Sequence, residues 1–226
     1  MEYTLYLAEP TTGKHTRTEK IDIPDNEDPL ALSSSQLWKL LGRSGPVNGS
    51  LWKPPSDEYI FVGEGWTPID KLSGIICARH LERNTISPEL VEYHGKTIET
   101  FNALVNSTRS YLDALGRKLS SKYTDAEQKT WELQASEAQK VIEGHASQLI
   151  SMLAEDDGKS AEDLALIILE KREAQIKETA EFLILSNQIR GRVQEARSML
   201  SNKKTKLQAL QTLAEACSKL SNLLSN

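Results

Sequence analysis

Seven of the eight prolines in this 226-residue chain lie before residue 84. So do most glycines and three of the four tryptophans. Proline lacks an amide proton and clashes with the preceding helical turn. A segment dense in it is limited to short elements and turns, and a segment free of it can carry long helices. The chain therefore divides into a turn-rich N-terminal part and a helical remainder. We expect a mainly α protein. It would comprise a small α+β domain over 1–83, then long helices forming an elongated helical bundle or coiled-coil hairpin.

Within 1–83, Tyr3, Leu5 and Leu7 alternate with Thr4, Tyr6 and Ala8, as in a half-buried strand. Pro10 and Gly13 can turn the chain, and Thr16 to Ile23 can return as a second strand. Pro24 to Pro29 is acidic loop. Ser34 or Ser35 can cap a short helix over 36–41, ended by Gly42. Tyr59 to Val62 reads as a strand, with Gly63 and Gly65 framing a turn before Trp66. Pro68 fits the first turn of a helix carrying Leu72, Ile75, Ile76 and His80. Trp38, Trp52 and Trp66 recur among prolines and glycines. They form either a docking surface, where tryptophan is favoured, or the core of a small domain.

From Ser87 and Pro88 onward the pattern is helical, with Gly95 a break. Ile98, Phe101, Val105, Thr108, Leu112, Leu115 and Leu119 follow at alternating spacings of three and four, a heptad seam with one polar interruption. Such a seam is narrow and predicts packing against one partner helix, internal or from another copy. Thr124 and Glu127 form a capping box. Trp131, Ala135, Ala138 and Ile142 share one stripe of a helix read as running from Thr124 to about Leu153. An acidic loop over 155–158 precedes a capped start at Ser160. The next helix exceeds thirty residues and is apolar nearly all round at Phe182 to Leu185, which requires covering neighbours. Gly191 within it suggests a close helix crossing. Leu207, Leu210, Leu213, Cys217, Leu220 and Leu224 make a second heptad-like stripe. The segments drawn on this basis are 1–83, 84–121, 122–198 and 199–226.

Net charge is −5, from 27 Lys and Arg against 32 Asp and Glu, and neither half is basic. The electrostatic footprint of a nucleic-acid binder is absent. Apolar runs such as Leu164 to Leu169 are short and bounded by charges, so no membrane span is expected. Mean hydropathy is −0.45. The start of the chain lacks a signal-peptide pattern, and Cys77 and Cys217 read as reduced, buried thiols in a cytoplasmic protein. No nucleotide-binding, zinc-protease or nucleophile-elbow motif is present. Cys77 and His80, one helical turn apart, are the sole nucleophile candidate. Asp156 and Asp157 lack the alternating oxygen ligands of a calcium loop. We expect no enzyme, no cofactor and no metal.

Residues 122–198 resemble the helical region of bacteriophage tail-fibre assembly proteins, the tail-fibre chaperones. The resemblance is carried by Tyr123, Thr124, Glu127, Thr130, Trp131, Gln134, Glu137 and Ala138, then by Ser160 to Leu164 and Ile168 to Lys171, and loosely by Gly191 to Gln194. It implies a non-enzymatic protein that helps a receptor-binding tail fibre fold or trimerise. Its place would be the host cytoplasm during virion assembly, with retention on the virion tail an open alternative. A permanent structural protein of the tail or baseplate is the competing reading. The implied partner is the tail-fibre protein, with self-association through the seams as a second contact. The residues expected at helix-pairing or partner interfaces are Ile98, Phe101, Val105, Leu112, Leu115, Leu119, Trp131, Leu210, Leu213, Leu220 and Leu224. Trp38, Trp52 and Trp66 would form an N-terminal docking patch.

Overall fold

The computed structural model describes residues 1–29, 31–43, 48–122, 125–202 and 204–225. For 125–127 it describes the backbone alone. The protein is mainly α with a small α+β N-terminus, as the proline distribution requires. Its contacts divide it into two compact units. One comprises Met1–Tyr111 with Ile189–Asn226, and the other Leu112–Gln188. These units cut across the four segments drawn from the sequence, because a heptad pattern does not record where a helix changes partners.

In the first unit, β1 (Glu2–Ala8) pairs antiparallel with β2 (His15–Asp22) as the alternation predicts. Leu5 and Leu7 face inward, with Ile21 and Ile23 from the returning arm. A short β3 (Gly49–Ser50) completes a sheet of order β2-β1-β3. Helix α1 (Ser34–Leu40) starts two residues earlier than expected. Ser33 is the N-cap, in a reciprocal box with Gln36. Strands β4 (Tyr59–Val62) and β5 (Gly65–Pro68) form a hairpin. The Phe61 amide donates to Gly13 O at 2.7 Å, which ties this hairpin to the β1–β2 turn.

Pro68 does not open a helix. It closes β5 and precedes one 3₁₀ turn, and helix α2 (Gly74–Glu82) begins after Ser73, whose Oγ accepts from the Ile76 amide. Helix α3 (Pro88–Tyr93) is capped by Ser87 and followed by Gly95 at φ 65°. The first part of α4 (Thr97–Ser120) then packs with the last helix, α8 (Lys206–Ser225). Their shared core includes Phe101, Leu104, Val105, Leu210, Leu213 and Cys217. Helix α8 also contacts α2 and α3.

The narrow seam expected on α4 is corrected here. Thr100, Phe101, Leu104, Val105 and Thr108 are all buried, and the buried face is as wide as that of a globular helix. Ile98, in the first turn, is 59% exposed. Thr108 is tolerated because its Oγ1 donates to Val105 O at 2.7 Å.

The second unit holds α5 (Asp125–Ile142), α6 (Gln148–Asp156) and parts of α4 and of α7 (Ala161–Leu200). The single helix expected from Thr124 to Leu153 is broken. Gly144 takes φ 85°, which a side chain with a Cβ rarely adopts, and Ser147 caps α6. The box at Thr124 and Glu127 lies outside the described side chains. Of the acidic segment 155–158, Glu155 and Asp156 end α6, Asp157 is its C-cap and Gly158 follows at φ 64°. Ser160 caps α7 as expected, with its Oγ accepting from the Asp163 amide at 3.0 Å. The core of this unit joins Ala138, Ile150, Ala154, Leu164 and Ala165. Two expectations for α7 fail. A Cβ at Gly191 would meet nothing within 4 Å among the described residues, so the glycine does not mark a close helix crossing. The apolar girdle is covered on one side alone, for Leu183 and Ile184 remain 55% and 57% exposed.

Candidate interaction surfaces

The expected N-terminal patch comes apart into three different environments. Trp38 is buried in the core of the sheet region, with the Arg43 guanidinium 4.9 Å above its ring. Arg43 in turn pairs with Glu19 at 2.6 Å. Trp66 is half-buried, edge-on to Phe61, and its Nε1 donates to Trp52 O at 2.7 Å. Only Trp52 presents its ring to solvent. The patch is therefore one exposed tryptophan braced by a second, and the third is a core residue. Pro54 and Pro55 follow Trp52 and stiffen the chain there.

The helical seams divide likewise. Phe101, Val105, Leu210, Leu213 and Leu220 are buried within the first unit, and Leu224 is half-buried. The five buried side chains are spent on internal packing, and no partner can reach them in the folded chain. Leu112, Leu115 and Leu119 lie in the second unit and are half-buried. Between them, Gly116 leaves room for Phe182 of α7, whose Cζ sits 3.5 Å from where a Cβ would stand. Ion pairs bind α7 to its neighbours further along, Lys122 with Glu178 at 2.7 Å and Arg172 with Glu132 at 3.1 Å. Both are exposed and contribute little to stability.

One candidate arrangement is a cleft in the second unit. Trp131 and Gln134 of α5, Leu164, Ile168 and Lys171 of α7, and Asp156 and Lys159 at the end of α6 line a space of about 300 Å³. The elements meet there because Ala135 and Ala138, one and two turns on from Trp131, are small enough for close approach and are buried. Ser147 is aligned by Glu137, whose carboxylate accepts from the serine hydroxyl at 2.8 Å. Hydrogen bonds from Lys140 and Ser147 hold the Glu137 carboxyl below its usual range. Trp131 is half-buried and forms one wall. A neutral ring flanked by Lys159, Lys171 and Asp156 suits a side chain with an apolar body and a polar end. The sequence showed the tryptophan stripe. It did not show the cleft, because Asp156 and Lys159 join it only through the break at Gly144 and the return of α6.

The nucleophile candidate is not assembled for chemistry. Cys77 is fully buried, and that burial pushes its thiol up to about 11. A thiolate is the reactive form, and it is not populated at neutral pH here. His80 bonds through Nδ1 to Thr85 Oγ1 at 2.8 Å, and burial, aided by Arg83 and Arg79, lowers its basicity. Cys217 donates to Leu104 O at 3.4 Å, and burial raises it to about 12. Among the described residues, no three His, Cys, Asp or Glu side chains group to hold a metal ion, and no helix is long and apolar enough to cross a membrane. Comparison of the chain with protein-family models, with curated proteins and with solved structures finds no match in any of the three.

Proposed function

We propose that this protein is a tail-fibre assembly chaperone, which binds a receptor-binding fibre and assists its folding or trimerisation. One observation carries the reading. Residues that bear the resemblance lie on two segments more than twenty positions apart, Trp131 and Gln134 on one, Leu164, Ile168 and Lys171 on the other. All five line the same cleft. A pattern arising by chance on two amphipathic helices has no reason to converge on one concave surface. Concavity, an aromatic wall and a few placed polar groups are the features of a recognition site. In this reading the cleft takes a side chain or short segment of the fibre, and Trp52 offers a separate apolar contact from the N-terminal unit.

The test is co-expression of a trimeric receptor-binding tail-fibre protein, with and without this protein. Soluble trimeric fibre should form only in its presence, and Trp131→Ala should lower the yield while leaving the protein folded. Equal yields of trimer in its absence would end the proposal.

A further inference from the structure

We infer that a second copy of this chain adds antiparallel to the outer edge of β2, in register about Thr18, and so joins the two three-stranded sheets. The inference does not depend on the chaperone reading. In the order β2-β1-β3, β2 pairs with β1 alone among the described strands. Every second residue of β2 therefore turns its N–H and C=O away from β1. This open edge is eight residues long, and His15, Thr16, Arg17, Thr18, Lys20 and Asp22 are exposed along it. Such an edge is a template for a further strand unless proline, a bulge, a covering element or charge blunts it. The strand contains no proline, and its one irregularity lies at its N-terminal end, beside Leu7 and Ala8. Its charges are arranged to match a copy of itself.

The charges are antisymmetric about Thr18. Lys14 and Arg17 lie four and one positions before it, and Glu19 and Asp22 lie one and four positions after it. An antiparallel two-fold on Thr18 sets each residue opposite the one equally far on the other side. Arg17 then faces Glu19 of the second copy, Lys14 faces Asp22, and Thr16 faces Lys20. Directly opposite side chains stand about 5 Å apart at Cβ and diagonal ones about 7–8 Å. Each unlike pair is therefore closer than any like pair across the junction. Moving the axis to Arg17 sets Arg17 against Arg17 and Lys14 against Lys20, and moving it to Glu19 sets Glu19 against Glu19. Within each copy Glu19 is already held by Arg17 at 2.8 Å and by Arg43 at 2.6 Å, so these groups fix the register more than they add pairing. Lys14 and Asp22 are different, for neither forms an ion pair among the described residues. Asp22 also stands opposite Glu2 in the β1–β2 ladder, a like-charge contact, and Lys20 pairs with Glu2 alone. Lys14 of the second copy supplies the missing cation. Charge complementarity thus selects a second, antiparallel copy as the occupant.

Sedimentation equilibrium of the full chain tests this. The wild type should approach twice the monomer mass of 25.2 kDa at micromolar concentrations. Thr18→Lys, at an exposed site, sets like charges on the axis. It should remain folded by circular dichroism and sediment as a monomer. Lys14→Glu and Asp22→Lys should each weaken dimerisation on the order of tenfold, and the double swap should restore it. Amide hydrogen exchange at every second residue of β2 should slow as the concentration rises through the dimer range. A monomeric wild type overturns the inference, including one that is monomeric alone but takes a strand of a different protein on this edge. A dimer unaffected by Thr18→Lys, single swaps that the double swap fails to rescue, or β2 amides that exchange equally fast in monomer and dimer also overturn it.

Discussion

Replacing Gly74 by Ala should destabilise the first unit, although the same change elsewhere in a helix of that unit should stabilise it. Alanine is better than glycine inside a helix by about 1 kcal/mol. Gly74 opens α2 with an ordinary backbone, so conformation gives no objection to the substitution. Space does. A Cβ at this position would stand 2.5 Å from Glu99 C, 2.5 Å from Glu99 Cβ and 2.7 Å from Thr100 N. Two of these atoms are backbone of α4 and cannot swing aside as a side chain would. Relief requires α2 and α4 to separate, and both contribute to the core that holds Cys77, Leu81, Phe101 and Leu104. Overpacking of this kind costs about 1–3 kcal/mol, which outweighs the propensity gain, smaller still at a helix's first position. Gly191 supplies the control within the same unit, since a Cβ there meets nothing within 4 Å. Gly191→Ala should stabilise by about 1 kcal/mol, raising Tm by about 2–4 °C. Gly74→Ala should lower Tm by a similar or larger amount. Thermal unfolding followed by circular dichroism reads both. A Gly74→Ala variant as stable as wild type would refute the close approach of α2 to α4. A destabilised Gly191→Ala would refute the open surface on α7.

Two further outcomes are expected. Leu213→Ala, at a position with no solvent exposure, should cost about 2–5 kcal/mol in urea unfolding, whereas Ile98→Ala, which fits the other heptad-like seam, should cost less than about 0.5 kcal/mol. Comparable losses would restore the strict seam. His80 is held below its ordinary pKa of about 6.5, so the unfolded chain binds its proton first as pH falls. Its contribution to stability is therefore present above about pH 6.5 and lost as pH falls through the folded value. Unfolding free energies measured between about pH 7.5 and 5 should decline, and His80→Gln should flatten that decline. An unchanged slope would show that His80 is not buried as a neutral ring.

Much of the fold was legible because its signals are local. The β1–β2 hairpin could be read from the alternation at Tyr3 to Ala8 and from Pro10 and Gly13. The caps at Ser73 and Ser147 are local as well, yet longer apolar patterns run across both and mask them. At Gly144 the stripe through Trp131, Ala138 and Ile142 continues to Ile150 and Leu153 as if unbroken. The chain instead reverses so that Ile150 and Ala154 cover Ala138. Periodicity reports that a residue is apolar on a face and is silent on what faces it. Both Ile98 and Phe101 fit the repeat, but one is exposed and the other buried.

The sequence by itself determined the class of this protein. Concentration of proline in the first 83 residues, a handful of serine caps and helical periodicity leave little but a small mixed domain followed by helices, since each acts within a few residues of backbone. It also carried the resemblance on which the functional proposal rests. Only the tertiary structure decided which apolar faces remain available. Phe101, Leu210 and Leu213 are consumed in one core, Trp38 is buried while Trp52 is exposed, and the outer face of α7 is left uncovered. Burial is a property of contacts between residues far apart in the chain, and a helix carries the same stripe whether or not another element arrives to cover it.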